Sequence, residues 1–279
     1  MNKKFADQVA VITGAGGVLC SEIAVRLAEE GAVAVLVGRT EEKLQKTADQ
    51  IRAIGGKCAV YTADVTDEKA IEALAEEIKT VYGPCRFLIN GAGGNNNDAI
   101  TENTKFSPSE LEDEGGKGFF QLDMKVFERV LMTNTLGTVI PTRAFAKQMA
   151  AEGTGCILNF ASMNSTRPLT RVPAYAMSKA AVVNFTQWLA VYLAPAGIRV
   201  NAVAPGFFVN DRSRKILYTQ EGTLSNRGQN IVNHTPLERF GHPKELLGSV
   251  MWLLDDESAG FVTGITVPVD GGFLAHSGI

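Results

Sequence analysis

Tyr175 and Lys179 are four residues apart in a segment that predicts a helix, so their side chains share one helix face. Ser162 precedes the tyrosine by thirteen residues and follows a short apolar segment that predicts a strand. A phenol with a pKa near 10 exchanges protons at neutral pH only if its anion is stabilised, which a nearby ammonium group can do. A serine hydroxyl can hold the oxygen of a substrate beside the phenol. The three residues therefore predict a proton-transfer site that interconverts an alcohol and a carbonyl. A tyrosine–lysine pair alone also occurs on ordinary helix surfaces.

A glycine-rich turn links the first predicted strand (9–13) to the first predicted helix (21–30). Gly14, Gly16 and Gly17 lie in this turn. A tight turn at this place directs backbone N–H groups and the helix N-terminus at a pyrophosphate. The turn therefore predicts a dinucleotide site, and a glycine turn without a nucleotide is the alternative.

The end of the second predicted strand bears on the phosphate of such a dinucleotide. An acidic residue there would bind the ribose 2′-hydroxyl and repel a 2′-phosphate. The strand instead ends at Gly38 and Arg39, without a carboxylate. An arginine can contact a 2′-phosphate or stack on adenine, so Arg39 favours NADP. A solvent-exposed arginine without a ligand is the alternative.

Short apolar segments alternate with amphipathic ones along the whole chain. Predicted strands are 9–13, 33–37, 57–63, 86–90, 156–161, 199–204 and 266–269, and predicted helices are 21–30, 41–54, 68–81, 124–152 and 174–193. This alternation predicts an α/β fold, a single-domain Rossmann-like doubly wound parallel sheet with helices on both faces, over residues 1–279. Two polar segments, 94–123 and 207–239, interrupt the pattern. Each follows the carboxyl end of a strand, so we expect both to be long loops that enclose the substrate.

The composition argues against several other classes of protein. With 45% hydrophobic and 20% charged residues and a net charge of −3, the chain offers no basic surface for nucleic acid or an anionic membrane. No apolar run reaches the ~18 residues that a transmembrane helix needs. The four cysteines form no CxxC pair, which predicts reduced thiols and a cytoplasmic protein, and the three histidines are too dispersed to predict a metal site.

Motifs in order along the chain resemble those of the short-chain dehydrogenases/reductases. They are TGAGGVLC (13–20), Asp64-Val65, Asn90-Gly91-Ala92-Gly93, Asn134, Ser162, Tyr175 to Lys179 and Pro205-Gly206. Val18 and Cys20 stand where the family pattern has glycine. The resemblance spans 8–272 and implies a nicotinamide cofactor, catalysis by Ser162, Tyr175, Lys179 and Asn134, and a homotetramer formed through the helices of Asn134 and Tyr175.

The same resemblance implies the cofactor contacts. They are Gly14, Gly16, Gly17, Val18, Leu19, Arg39, Asp64, Val65, Asn90, Ala92, Gly93, Tyr175, Lys179, Pro205 and Gly206. Asp64 and Val65 would flank the adenine, and Pro205 and Gly206 would border the nicotinamide. Asn134 would hold a water that links Lys179 to solvent.

Further segments, among them INGAGGN and APGFFVN, resemble the D-mannonate oxidoreductase (fructuronate reductase) branch, which implies NAD and interconversion of D-mannonate and D-fructuronate. A polyhydroxy acid needs amides for its hydroxyls and a cation for its carboxylate. Asn95 and Asn164 are the candidate amides, and Arg167 and Arg212 the candidate cations. A dehydrogenase for gluconate-type or other sugar acids, or for polyols, is one alternative. A non-catalytic nucleotide-binding scaffold is another, although it would be expected to lack the tyrosine or the lysine.

Overall fold

The short apolar segments form one seven-stranded sheet in the order β3-β2-β1-β4-β5-β6-β7. The computed structural model describes residues 3–112, 115–209 and 211–277. The strands are β1 (Val9–Thr13), β2 (Val33–Gly38), β3 (Lys57–Thr62), β4 (Cys85–Asn90), β5 (Gly155–Phe160), β6 (Ile198–Pro205) and β7 (Thr266–Val269). All pairings between them are parallel. The α/β prediction of a doubly wound parallel sheet is confirmed.

Helices cover both faces of this sheet. Those in the described residues are α1 (Val18–Glu29), α2 (Glu41–Ala53), α3 (Glu68–Tyr82), α4 (Met124–Glu152), α5 (Pro173–Leu193), α6 (Asp211–Leu217), α7 (Asn226–Asn233), α8 (Leu247–Leu254) and α9 (Asp256–Ala259). Alternate residues of β1 pack on opposite sides: Ala10 and Ile12 join α1, α2 and α8, whereas Val9 and Val11 join α3, α4 and α5. Among the described residues, no helix has the length and apolar character needed to cross a membrane.

The strand order reverses between β1 and β4, and this reversal creates a crevice at the carboxyl ends of the strands. The hydroxyl of Thr13, at the end of β1, accepts hydrogen bonds from the backbone N–H groups of Gly91 (3.1 Å) and Ala92 (3.2 Å) just after β4. The two strand ends are thereby fixed against each other, and the turns that follow them face one crevice.

The segment 207–239, which the sequence predicts as a loop, contains α6 and α7. Helix α7 is short, and its apolar residues Ile231 and Val232 are adjacent, so the sequence shows no repeated apolar spacing there. The helix begins instead through a local cap, in which the Ser225 hydroxyl accepts a hydrogen bond from Gly228 N (3.1 Å). The segment 94–123 forms short 3₁₀ turns at Asn97–Ala99, Pro108–Leu111 and Phe119–Gln121.

Candidate active site

Two cavities lie end to end along the crevice and share Gly91 and Gly93 in their walls. The first, which we call the glycine cavity, has a volume of about 270 Å³. The second, the tyrosine cavity, has a volume of about 320 Å³ and contains Ser162, Tyr175 and Lys179. Together they form a continuous groove across the sheet edge, of the extended shape that a dinucleotide requires.

The glycine turn that follows β1 packs closely against the backbone that follows β4. Gly14 has a φ of +68°, and a Cβ atom on it would lie 2.8 Å from the carbonyl of Gly91. A Cβ atom on Gly16 would lie 2.7 Å from the Cβ atom of Lys43 in α2. Helix α1 then begins at Val18 after Gly17, which has no side chain to cap it. Its first N–H groups are therefore free of intrahelical partners and suit an anion. These features fit a dinucleotide pyrophosphate.

Cys20, which stands where the family pattern has glycine, fills the space beside Gly91. Cys20 is buried, and a Cβ atom on Gly91 would lie only 2.1 Å from the Cys20 Sγ atom. The cysteine side chain thus occupies the space that a side chain at position 91 would need. Burial raises the pKa of the Cys20 thiol to about 12, so the group stays neutral and acts by filling space.

The outer end of the glycine cavity carries positive side chains. Arg39 and Lys43 line it together with Asp64 and Val65. The carboxylate of Asp64 accepts hydrogen bonds from Thr66 N (2.9 Å) and Oγ1 (2.7 Å), which lower its pKa, and the charge of Arg39 lowers it further. Arg39 is exposed and has no hydrogen bond or ion pair to another described residue. Its guanidinium is therefore available to a ligand.

Ser162, Tyr175 and Lys179 meet in the tyrosine cavity. Lys179, only 5% exposed, donates from Nζ to the carbonyl of Phe160 (2.7 Å), and Nζ lies 5.8 Å from the centre of the Tyr175 ring. Burial lowers the pKa of Lys179 to about 8. Burial raises the pKa of Tyr175, and a hydrogen bond with Ser162 partly offsets that rise. The Ser162 hydroxyl accepts from Asn164 N (3.2 Å) and Nδ2 (3.4 Å).

Asn134 ties α4 to the segment after β4. Its amide donates to the carbonyls of Gly94 and Val130 (both 2.8 Å), and its Oδ1 atom accepts from Gly94 N (3.0 Å). A Cβ atom on Gly93 would lie 2.4 Å from that Oδ1 atom and 3.5 Å from Lys179 Nζ. Asn134, Gly93 and Lys179 are thus neighbours beneath the tyrosine cavity.

Most of the cofactor residues predicted from sequence line the groove. Gly14, Gly16, Gly17, Arg39, Asp64, Val65, Ala92 and Gly93 line the glycine cavity, and Val18, Leu19, Tyr175, Lys179, Pro205 and Gly206 line the tyrosine cavity. Asn90 differs, since its buried amide donates to Thr142 (2.8 Å) and Asn159 (2.9 Å) behind the groove. Its side chain thus joins α4 to β5 and stabilises the sheet, and a contact of Asn90 with the cofactor stays a prediction.

Of the predicted substrate residues whose side chains the structure describes, only Asn164 lines the tyrosine cavity. Asn164 lines the tyrosine cavity, although its amide is engaged with Ser162 and with Leu169 N (2.9 Å). The structure does not bring Asn95 or Arg167 to the cavity walls: Asn95 accepts from the next backbone N–H group, and the exposed Arg167 donates to the His276 carbonyl. The side chain of Arg212 lies outside the described residues.

A third cavity, which sequence reasoning missed, adjoins the substrate end of the groove. This arginine cavity has a volume of about 520 Å³ and includes Arg171 and Arg227 in its wall. It shares Leu169 and Phe207 with the tyrosine cavity. Recognition of α7 in the sequence would have indicated this cavity, but the helix has only 8 residues, too few for a repeated apolar pattern.

Comparison with known proteins agrees with this geometry. The short chain dehydrogenase family model matches residues 8–221. An uncharacterized oxidoreductase of Bacillus subtilis is 43% identical, over 100% of this chain and 99% of that protein. An NAD-dependent glycerol dehydrogenase of Listeria innocua is 31% identical, over 96% of this chain and 94% of that protein.

Solved structures show the same relationship. A protein from Haemophilus influenza, provisionally assigned as a D-mannonate oxidoreductase and solved with bound NAD, superimposes with a TM-score of 0.93 at 43% identity, over 100% of this chain and 99% of that chain. A xylitol dehydrogenase with bound NAD⁺ has a TM-score of 0.83 at 30% identity, over 97% and 100% of the two chains. The chain therefore belongs to the short-chain dehydrogenase/reductase family and is an oxidoreductase with a nicotinamide cofactor of the NAD(P) type.

Proposed function

We propose that this oxidoreductase interconverts D-mannonate and D-fructuronate, and that Ser162, Tyr175, Lys179 and Asn134 carry out the reaction. The observation that carries the reaction type is the meeting of Ser162, Tyr175 and Lys179 in one cavity at the end of the groove. Support for the substrate comes from the 43% identical structure that is provisionally assigned as a D-mannonate oxidoreductase.

Tyr175 exchanges the proton with the substrate oxygen. When bound, the nicotinamide accepts or supplies the hydride. During reduction the Tyr175 hydroxyl donates its proton to the carbonyl oxygen, and during oxidation the phenolate accepts the proton of the alcohol. Ser162 holds the substrate oxygen next to the phenol, and its own hydroxyl is oriented by two donors from Asn164. Asn164 is thus a positioning residue.

Lys179 makes this proton exchange feasible near neutral pH. With a pKa of about 8, its ammonium group is mostly charged at pH 7 and stabilises the phenolate of Tyr175. Its contact with the Phe160 carbonyl fixes one of its three donors. Gly93 lies between Asn134 and Lys179. From this position Asn134 can order the path by which protons pass from Lys179 to solvent.

We also propose that the glycine cavity accepts both forms of the cofactor. Bound NAD in the similar structure supports NAD. The absence of a carboxylate at Gly38 and the unengaged Arg39 support NADP, because a guanidinium can pair with a 2′-phosphate. Arg39→Ala should lower kcat/KM about tenfold with NADP and little with NAD. The tenfold effect corresponds to the loss of about 1.4 kcal/mol of charge-assisted binding to the 2′-phosphate. Equal effects on both cofactors would contradict the role of Arg39.

Steady-state kinetics on a substrate panel tests the proposed reaction. The panel is D-fructuronate, 5-ketogluconate and 2-keto-3-deoxygluconate, each with NADH and NADPH. We expect the highest kcat/KM with D-fructuronate. If D-fructuronate is not reduced while another panel member is, the D-mannonate proposal fails.

A second candidate is a dehydrogenase for gluconate-type acids or polyols. A structure provisionally assigned as a gluconate dehydrogenase of Agrobacterium tumefaciens has a TM-score of 0.85 at 25% identity, and the xylitol dehydrogenase is also similar. The same kinetic panel separates this candidate, because it predicts 5-ketogluconate as the preferred substrate.

A homotetramer in the cytoplasm completes the proposal. On α5, Trp188 and Tyr192 stack at 5.0 Å between ring centroids while 57% and 67% exposed, and burial of this surface against another copy would be favourable. The cysteines that the structure describes are free thiols, which suits a reducing compartment. Sedimentation equilibrium should give four chains per particle, and a monomer would contradict the assembly.

A further inference from the structure

The arginine cavity brings two positive side chains next to the proposed reaction site. Arg171 lies two residues before α5, and Arg227 lies in the first turn of α7. Leu169 and Phe207 separate their cavity from the tyrosine cavity and line both. A molecule bound in the arginine cavity can therefore extend past Leu169 and Phe207 to Ser162 and Tyr175.

No acidic side chain balances these charges among the described residues that line the cavity. Arg227 has no hydrogen bond or ion pair to any described residue, and desolvation together with the charge of Arg171 lowers its pKa. Two like charges that face one cavity repel each other, and an anion between them would remove that repulsion.

Arg171 is held in an unusual backbone conformation that fixes its side chain. Its φ is +74°, in the left-handed region that residues other than glycine rarely adopt. Thr101 fixes it from the segment after β4: its N–H group donates to the Arg171 carbonyl (3.0 Å), and its carbonyl accepts from Arg171 Nε (2.6 Å). A guanidinium has five N–H donors, and the Thr101 contact uses one. The Thr101 contacts hold Arg171 at the cavity wall despite the backbone strain.

The other polar groups of the cavity suit hydroxyl groups. Asn226 and Asn230, one turn apart on α7, line it together with His234. Amide groups donate to and accept from hydroxyls, whereas paired guanidinium groups match the planar geometry of a carboxylate. The cavity thus combines the groups that a polyhydroxy acid requires at the end distant from its reacting carbon.

We infer that Arg171 and Arg227 bind the carboxylate of the substrate and thereby select sugar acids over uncharged polyols. The inference rests on the proposed function and names the residues that would select its class of substrate. It replaces Arg167 as the source of the cation, because Arg167 is exposed, donates to the His276 carbonyl and does not line the cavity.

Equilibrium titration tests the inference without turnover. Enzyme saturated with NADH or NADPH is titrated by calorimetry with D-mannonate, D-gluconate and the uncharged D-mannitol, since reduced cofactor and an alcohol cannot react. The variants are Arg227→Gln and Arg171→Gln. Arg52→Gln is the matched control, because Arg52 is an exposed arginine on α2 that pairs with Asp49. Thermal unfolding of each variant verifies that it folds.

Each arginine variant should weaken the binding of the hexonates about 10- to 100-fold, the effect of losing a hydrogen bond to a charged group. D-mannitol binding and the Arg52→Gln control should not change. The inference is overturned if wild type binds no hexonate, if the hexonates bind the arginine variants as they bind wild type, or if mannitol and the hexonates weaken alike. If D-gluconate behaves as expected and D-mannonate is not a substrate, the inference stands and the proposed D-mannonate reaction fails. If D-fructuronate is reduced while the variants bind the hexonates as tightly as wild type does, the proposed D-mannonate reaction stands and the inference fails.

Discussion

The glycine cavity, at the cofactor end of the site, and the arginine cavity, at its substrate end, are built in different ways. At the glycine cavity, backbone meets backbone: Gly14 packs against the carbonyl of Gly91, and Gly16 against Lys43. At the arginine cavity, side chains from distant parts of the chain, such as Arg171 and Arg227, face an open space. We therefore expect the cofactor end to tolerate little change in shape, and the specificity of the substrate end to change through single side chains.

The tyrosine cavity between these ends should show the largest effect of a single substitution. Tyr175→Phe should lower kcat about 10²- to 10⁴-fold with little change in cofactor affinity, because only the proton-exchanging hydroxyl is removed. Tyr192→Phe on the exposed side of the same helix is the matched control. Activity of Tyr175→Phe within tenfold of wild type would show that another group donates the proton in the reaction.

Lys179 should give the site a characteristic dependence on pH. Because its pKa is about 8 in the folded protein and 10.5 in the unfolded chain, the unfolded state binds the additional proton between these values. Stability should therefore rise with pH in this interval by roughly 3 kcal/mol relative to Lys179→Met. Carbonyl reduction by wild type should decline above about pH 8 as the ammonium is lost. The free energies of unfolding of both proteins are measured with urea across this pH range. If the two curves against pH run parallel, the pKa of Lys179 is not lowered by burial.

The rigidity of the cofactor end can be measured with two glycines of similar backbone conformation. Gly14 (φ +68°) is closely packed, whereas a Cβ atom on Gly55 (φ +71°) would meet nothing within 4 Å. Gly55→Ala should cost about 1–2 kcal/mol for the left-handed conformation. Gly14→Ala should cost about 1–3 kcal/mol more because of overpacking, and should also weaken NAD(P) binding. Equal free energies of unfolding for both variants would show that the close approach of β1 and β4 is not needed.

Cys20 and Gly91 give the smallest but most specific effect. Gly91→Ala alone should destabilise the protein by about 1–3 kcal/mol, since its Cβ atom would overlap Cys20 Sγ. With Cys20→Gly added, the loss should fall short of the sum of the two single losses by about 1 kcal/mol. Additive free energies of unfolding would mean that Cys20 and the side chain added at position 91 do not compete for the same space.

The sequence predicted the cofactor end better than the substrate end for a physical reason. Gly14, Gly16 and Lys179 lie in local motifs whose spacing within one turn or helix determines their position. Helix α4 was predicted with its observed bounds, Met124–Glu152, because its amphipathic pattern is long. In contrast, Arg171 and Arg227 meet only after two segments far apart in the chain have packed together.

Two particular residues show this limit. Asn90 is part of a recognisable motif, yet its amide faces a buried network, since motif spacing does not specify the direction of a side chain. Arg227 lies on α7, which begins at the Ser225 cap and has only 8 residues, too few for a repeated apolar pattern in the sequence. For such segments, long-range packing determines the structure.

Transfer of deuterium tests the proposed reaction most directly. D-fructuronate is incubated with reduced cofactor deuterated at the transferable position of the nicotinamide, and the product is examined by NMR and mass spectrometry. The account predicts D-mannonate that carries one deuterium on the carbon that bore the carbonyl, with Tyr175→Phe forming it at least a hundredfold more slowly. A product without deuterium on that carbon, or no product at all, would contradict the account.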